Sequence, residues 1–313
     1  MEFINVEIAK KIYKDKLVRG IWICLAITLL LTLIIMLTGE VRSQILLVKF
    51  FFTLLCTCFM VGIAGFIIIT FTTRKQFNNY RAVYKAYFVE KTLAQIFTHL
   101  KYDHARGLPK EILLATRMVR TGDTYSSNDL TMGKYKDVAF VQADVHIQDE
   151  HTDSDGNTTY VTVFKGRFMI FEFHKKFNFR LEVAEKGFGA NMVPARRQES
   201  GRKMHKIELE SPEFNKRFKT YSEDGFEAFY LLDPAFMHNI MELADEHEGK
   251  LMLGFFENKL LVGLKDGKDA FEPPSVFKKL DEKTEMEKVA REVRPITNFV
   301  DKLKLDKKLF VQK

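Results

Sequence analysis

Two stretches decide the architecture of this chain: IWICLAITLLLTLIIML over residues 21–37 and FFFTLLCTCFMVGIAGFIIITF over residues 50–71. Neither contains a charged residue. Roughly 20 apolar residues in a helix cover about 30 Å of hydrocarbon, and both runs approach or exceed that length. Only residues 38–49 lie between them, enough for a turn and too few for a domain. The pair reads as a transmembrane hairpin over residues 21–71, with spans at about 21–37 and 50–71, carrying the remainder of the chain as a soluble part.

Other readings fit less well. A cleaved signal peptide has an apolar core of about 7–15 residues and a small-residue cleavage site, and no such site follows Leu37. A core helix of a soluble protein has a polar face, which the second run lacks. A transport path inside a membrane is marked by ionisable side chains, and the spans have none.

Orientation follows from the basic flanks. Lys10, Lys11, Lys14, Lys16 and Arg19 precede the first span, and Arg74, Lys75, Arg81, Lys85 and Lys91 follow the second. The intervening loop offers only Arg42 and Lys49. Basic flanks stay on the cytoplasmic side, so both termini are expected there. Trp22, the single tryptophan, falls at the cytoplasmic start of the first span, where an amphipathic ring suits the interface.

Composition narrows the function classes. Lysine and arginine exceed aspartate and glutamate by 48 to 41, a modest excess that suits anionic lipid at least as well as nucleic acid. No nucleic-acid-binding signature accompanies it, so no nucleic acid partner is expected. All three cysteines, Cys24, Cys56 and Cys58, fall inside the spans. Disulfides, thiolate metal sites and cysteine nucleophiles are thereby excluded from the soluble part.

Past the second span, aromatic residues Phe77, Tyr80, Tyr84, Tyr87, Phe88 and Phe97 recur with Val83, Leu93 and Ile96 at helical spacing, which predicts a helix from Thr72 to about Leu100. A turn over Tyr102 to Leu108, a short helix opened by Pro109 and a polar loop from Thr121 to Asn128 complete a helical connector over residues 72–134. The pattern then becomes β-like. Val138 to Ile147 and Thr159 to Phe173 flank an acidic turn with Asp155-Gly156, the signature of a long antiparallel hairpin. Further strands are expected at Phe179 to Val183, Glu227 to Leu232, Lys250 to Phe256 and Lys259 to Leu264, the last two joined by a turn at Glu257-Asn258. Asp233-Pro234 starts a helix. A charged helix from Leu280 to about Leu305 is interrupted near Pro295. With residues 1–20 as a basic N-terminus and 135–313 as the soluble domain, the fold class is α+β: a two-helix hairpin followed by a mixed, largely antiparallel sheet with flanking helices.

Several motifs carry a family resemblance. They are Gly133-Lys-Tyr-Lys-Asp-Val-Ala-Phe140, Phe164-Lys-Gly-Arg-Phe168 with Phe171, His174-Lys-Lys-Phe177, Ile207-Glu-Leu-Glu-Ser-Pro-Glu-Phe-Asn-Lys-Arg-Phe218, Ala228-Phe-Tyr-Leu-Leu-Asp-Pro-Ala-Phe-Met237 and Phe271-Glu-Pro-Pro274. Over about Tyr102 to Phe310 the chain resembles the bacterial family called domain of unknown function 3137. The resemblance implies a bacterial inner-membrane protein with two N-terminal hydrophobic segments. It brings no catalytic residues with it.

Three clusters merit weighing for chemistry. His146, His151, Asp153 and Asp155, with Asp144, Asp149 and Glu150, have metal-ligating side chains near the hairpin, but the loop lacks the first carboxylate and the final glutamate of a calcium loop. A solvated acidic turn is the simpler reading, and no metal or other cofactor is expected. Gly187-Phe-Gly-Ala-Asn191 lacks both the phosphate-loop ending and the dinucleotide fingerprint. Arg196, Arg197, Arg202 and Lys203 form a basic segment suited to a membrane surface or an acidic partner. The function expected is a two-pass protein of the cell inner membrane whose cytoplasmic domain binds or scaffolds. Its partners are the lipid bilayer and a protein, either another species or a second copy. The alternatives are a metal-dependent hydrolase built on the 144–155 cluster and a transport accessory subunit.

Overall fold

The computed structural model describes residues 2–38, 46–119, 122–188 and 203–305, without the side chains of 38, 46–49 and 173–175. The chain divides into two compact units, Met1–Phe88 with Glu272–Glu285, and Val89–Phe271 with Met286–Lys313.

The first unit is built on two long helices, α1 (Phe3–Thr38) and α2 (Leu46–Tyr84). The helical run does not end at Tyr84 but passes through a π-helical turn at Lys85–Val89 into α3 (Glu90–Ile96). Both long helices are apolar and long enough to cross a membrane, and only 11% of each one's most apolar window is buried. A soluble core helix would bury most of that surface. Contacts between α1 and α2 run in opposite senses along the two chains. Gly20 lies against Ile69, Gly65 against the Cys24 sulfur, and Thr32 Oγ1 hydrogen-bonds Thr57 Oγ1 at 2.8 Å. This is an antiparallel hairpin packed through small residues and one buried polar pair, as expected where helices cannot be driven together by water.

The aromatic stripe beyond the spans packs on the Glu272–Glu285 segment. Tyr84 donates to Glu285 Oε2 at 2.7 Å, and Tyr87 donates to Glu282 Oε1. Lys85 is only 1% exposed and its ammonium meets Glu272 Oε1 at 3.1 Å. A buried ammonium without such a carboxylate would be costly, so this pairing is what lets the lysine sit inside the helix packing.

In the second unit the sheet has, among the described residues, seven antiparallel strands: β1 (Thr98–Asp103), β2 (Thr124–Tyr135), β3 (Val138–Thr152), β4 (Thr158–Glu185), β5 (His205–Ile207), β6 (Phe218–Ser222) and β7 (Lys250–Lys265). The 28-residue β4 is shared. Its first half pairs with β3, its second half with β6, and β7 pairs with both halves. Helices α4 (Lys110–Thr116), α5 (Pro212–Arg217), α6 (Gly225–Leu231), α7 (Pro234–Glu246) and α8 (Glu282–Lys302) complete the chain.

Alternation along β3 and β4 divides the core. Ala143, Val145 and Ile147 point with Phe164 and Phe168 to one face, where they are buried with Leu113 and Met118. Phe140 and Phe171 point to the other, where Phe171 packs on Phe299 of α8. On that second face the row Gln142, Asp144 and Arg167 is polar and buried or nearly so. Asp144 accepts from the Ala270 N–H, which ties the sheet to the loop after β7.

Some predicted elements differ. Residues 72–134 contain β1 and β2 in addition to helix; β2 (TYSSNDLTMGKY) lacks an alternating apolar pattern and is a strand because β3 offers it a ladder partner. Glu227 to Leu232 is helical as α6, since the Asp224 carboxylate accepts from the Glu227 N–H at 3.1 Å and caps it. No turn breaks β7 at Glu257-Asn258. Instead Glu257 takes a positive φ of 51° where the β4–β7 register shifts, a bulge in one continuous strand. Phe179 to Val183 is the second half of β4, and Pro295 lies inside an unbroken α8. The Asp155-Gly156 hairpin and the Asp233-Pro234 helix start are present as expected, the latter with Asp233 accepting from the Phe236 N–H at 2.7 Å.

Candidate functional site

The structure separates the residues grouped along the 144–155 segment. His146 is half-buried in β3 opposite Lys165, and its Nε2 lies 3.4 Å from Thr162 Oγ1. Burial, with the nearby Lys165, pushes its pKa down. His151 lies five residues further along the strand, about 17 Å away at ~3.4 Å per residue, and is exposed. Asp153 closes the hairpin turn by accepting from the N–H groups of Asp155 at 3.0 Å and Asn157 at 2.8 Å. Those bonds hold its carboxyl below the usual range. Its lone pairs therefore serve the turn, and Asp155 is exposed beside it. Among the described residues no three His, Cys, Asp or Glu side chains converge to hold a metal ion. Of the basic segment, Arg196, Arg197 and Arg202 lie outside the described residues; Lys203 is exposed just before β5.

A different place draws chemistry together. A cleft of about 780 Å³ opens where the end of α7, the end of β7 with its following loop, and the middle of α8 meet over β4. Arg167 reaches it because Gly166 precedes it in β4. Gly166 has a φ of 149°, and a Cβ there would fall 2.0 Å from the Leu264 carbonyl oxygen, so glycine permits the close β4–β7 approach. The Arg167 side chain is 13% exposed, and its Nη1 donates to the Glu292 carbonyl of α8. Three residues onward Pro295 lies inside the helix, where it has no N–H to give to the Arg291 carbonyl.

Charge dominates the lining, with Glu246, Glu248, Asp266, Asp269 and Glu292 set among Arg167, Lys268, Arg291 and Arg294. Each of the five carboxylates meets a cation, although Lys302 is shared with Glu242. Glu246 meets Lys302 at 2.8 Å, Asp266 meets Arg167 at 3.7 Å, Asp269 meets Lys165 at 3.8 Å, and Glu292 meets Lys288 at 3.9 Å. Glu248 pairs with Lys268. Arg291 and Arg294 have no such partner among the described residues and are exposed to the cleft. His247 stacks on Phe299 with ring centroids 5.8 Å apart and an interplanar angle of 22°. Burial, reinforced by Arg167, pushes its pKa down to about 4, so it is a neutral imidazole at neutral pH.

Sequence reading pointed elsewhere. Arg167 lies in the quoted Phe164-Lys-Gly-Arg-Phe168 motif, which was the available signal; Arg291 and Arg294 were hidden in an ordinarily charged helix. The Ser211-Pro212 and Asp233-Pro234 motifs are structural. Ser211 accepts from the Phe214 N–H at 3.2 Å, and Phe214 stacks on Phe218 with ring centroids 4.7 Å apart.

Residues 162–305 match the family model described as Protein of unknown function (DUF3137). Over this span the chain is similar to that family. The matched span takes in the cleft and every quoted motif except Gly133 to Phe140, so the resemblance read from the motifs holds for this part of the chain. No curated protein matches the chain in sequence. The crystal structure of the mycobacterial trehalose monomycolate transport factor A is similar with a TM-score of 0.35 and 10% identity, over 71% of this chain and 94% of that one. So loose a superposition supports no functional argument.

Proposed function

We propose that this chain is a membrane-anchored accessory protein whose DUF3137-like domain is a binding module. It is held at the cytoplasmic face of the inner membrane by a two-helix anchor and engages a protein partner. The observation that carries this reading is the state of the two long helices: nine-tenths of their apolar windows face outward, a surface that only hydrocarbon or another apolar helix can cover. Basic residues on both outer flanks and few between the spans support the cytoplasmic placement of both ends.

For the domain, binding fits better than hydrolysis. The cleft carboxylates are committed to ion pairs, and the hairpin carboxylate of Asp153 is committed to its turn. A surface for a partner is available on α6, where Phe226, Phe229 and Tyr230 are 81%, 44% and 63% exposed. Exposed aromatics of this kind are the side chains that anchor protein interfaces.

The test is photocrosslinking in intact membranes with a benzophenone amino acid at Phe226, compared with the same probe at Lys219 on β6. A discrete, reproducible adduct from Phe226 and none from Lys219 is the expected result. Equal, diffuse labelling from both positions would remove the partner from the proposal.

A further inference from the structure

We infer that the cleft is a binding site for a phosphate-bearing ligand, clasped by Arg291 and Arg294. All five lining carboxylates are ion-paired, by Arg167, Lys165, Lys268, Lys288 and Lys302, the last shared with Glu242 outside the cleft. Two guanidinium groups are left over, and nothing among the described residues neutralises them. They stand three residues apart on α8, the spacing that places side chains on one helix face within reach of a common group.

Two unpaired guanidinium groups on one face match a dianion better than a single carboxylate. Arginine's planar fork meets phosphate oxygens with two parallel hydrogen bonds. Arg167 supplies a third guanidinium in the cleft wall, pinned by Asp266 and the Glu292 carbonyl so that it holds its place without a ligand. The remaining wall includes Pro295, Leu264 and Ala270, which gives a small apolar side to receive the rest of the molecule. A volume of about 780 Å³ is that of a small-molecule site rather than a site for a lone ion. The phosphate could belong to a soluble ester or to a lipid headgroup, and the two share the chemistry that the arginines read.

This inference goes beyond the binding-module proposal and stands or falls separately, since it is read at Arg291 and not at Phe226. The full chain in neutral detergent is titrated calorimetrically with pyrophosphate, glycerol 3-phosphate and dihexanoyl phosphatidylglycerol. Saturable binding of at least one is expected, weakened tenfold or more in Arg291→Gln/Arg294→Gln and unchanged in the charge-matched Lys216→Gln/Lys219→Gln. Binding of the soluble anions supports a soluble ligand, and binding of the short-chain lipid supports a headgroup. Saturation by none of the probes, or equal weakening in both double variants, would overturn the inference.

Discussion

His247 carries the clearest pH signature in the domain. Its imidazole is stacked on Phe299, largely buried, and close to Arg167, Glu246 and Lys302, and the net result is a pKa of about 4. In the unfolded chain a histidine titrates near 6.5. Protonation therefore favours unfolding: the full stability contribution is present above pH 6.5 and is lost as pH falls toward 4. Over that window the loss approaches about 3 kcal/mol for one group. Replacing His247 with glutamine, which takes no charge, is expected to make the decline in domain stability between pH 7.5 and 4.5 smaller by about 2 kcal/mol. Denaturation of both proteins at the two pH values measures this; parallel declines would show that His247 is not the group responsible. None of this was visible in the chain, where His247 is one polar residue after a helix.

At the scale of elements, the α1–α2 pair depends on how closely two backbones approach. A Cβ added at Gly65 would lie 2.5 Å from the Cys24 sulfur, but 3.4 Å from the Cys24 Cβ. Gly65→Ala is therefore expected to overpack the hairpin and destabilise it by about 1–3 kcal/mol. The double variant Gly65→Ala/Cys24→Ala should recover most of that, because the sulfur is the clashing atom. Thermal melts of the detergent-solubilised chain decide it, and failure of the second substitution to rescue would mean that the helices do not touch there. The existence of these helices was legible from composition alone. The contact was not, because each glycine and cysteine looks like any other small residue in an apolar run. Sheet elements show the same division. The β3–β4 hairpin announced itself through alternation and Asp155-Gly156, whereas β2 did not, since its polar residues acquire strand geometry only from pairing with β3.

For the molecule as a whole, the proposed topology across a bilayer is the property with the widest consequence. If both ends are cytoplasmic, an impermeant maleimide applied to spheroplasts should label Arg42→Cys and should reach Lys219→Cys only after lysis, in a chain whose three native cysteines have been replaced. Labelling of Lys219→Cys in intact spheroplasts would reverse the orientation. The amino-acid order by itself determined the two apolar helices, the α+β class, the basic flanks and the motifs that match the DUF3137 family model, because these follow from local composition and periodicity. The cleft was decided only by tertiary structure. Arg167, His247, Arg291 and Arg294 are scattered over more than a hundred positions, and ordinary charges become a site only when folding pairs every carboxylate and leaves two arginines unmatched. Charge balance within a cleft is a sum over neighbours in space, and neighbours in space are what a sequence does not list.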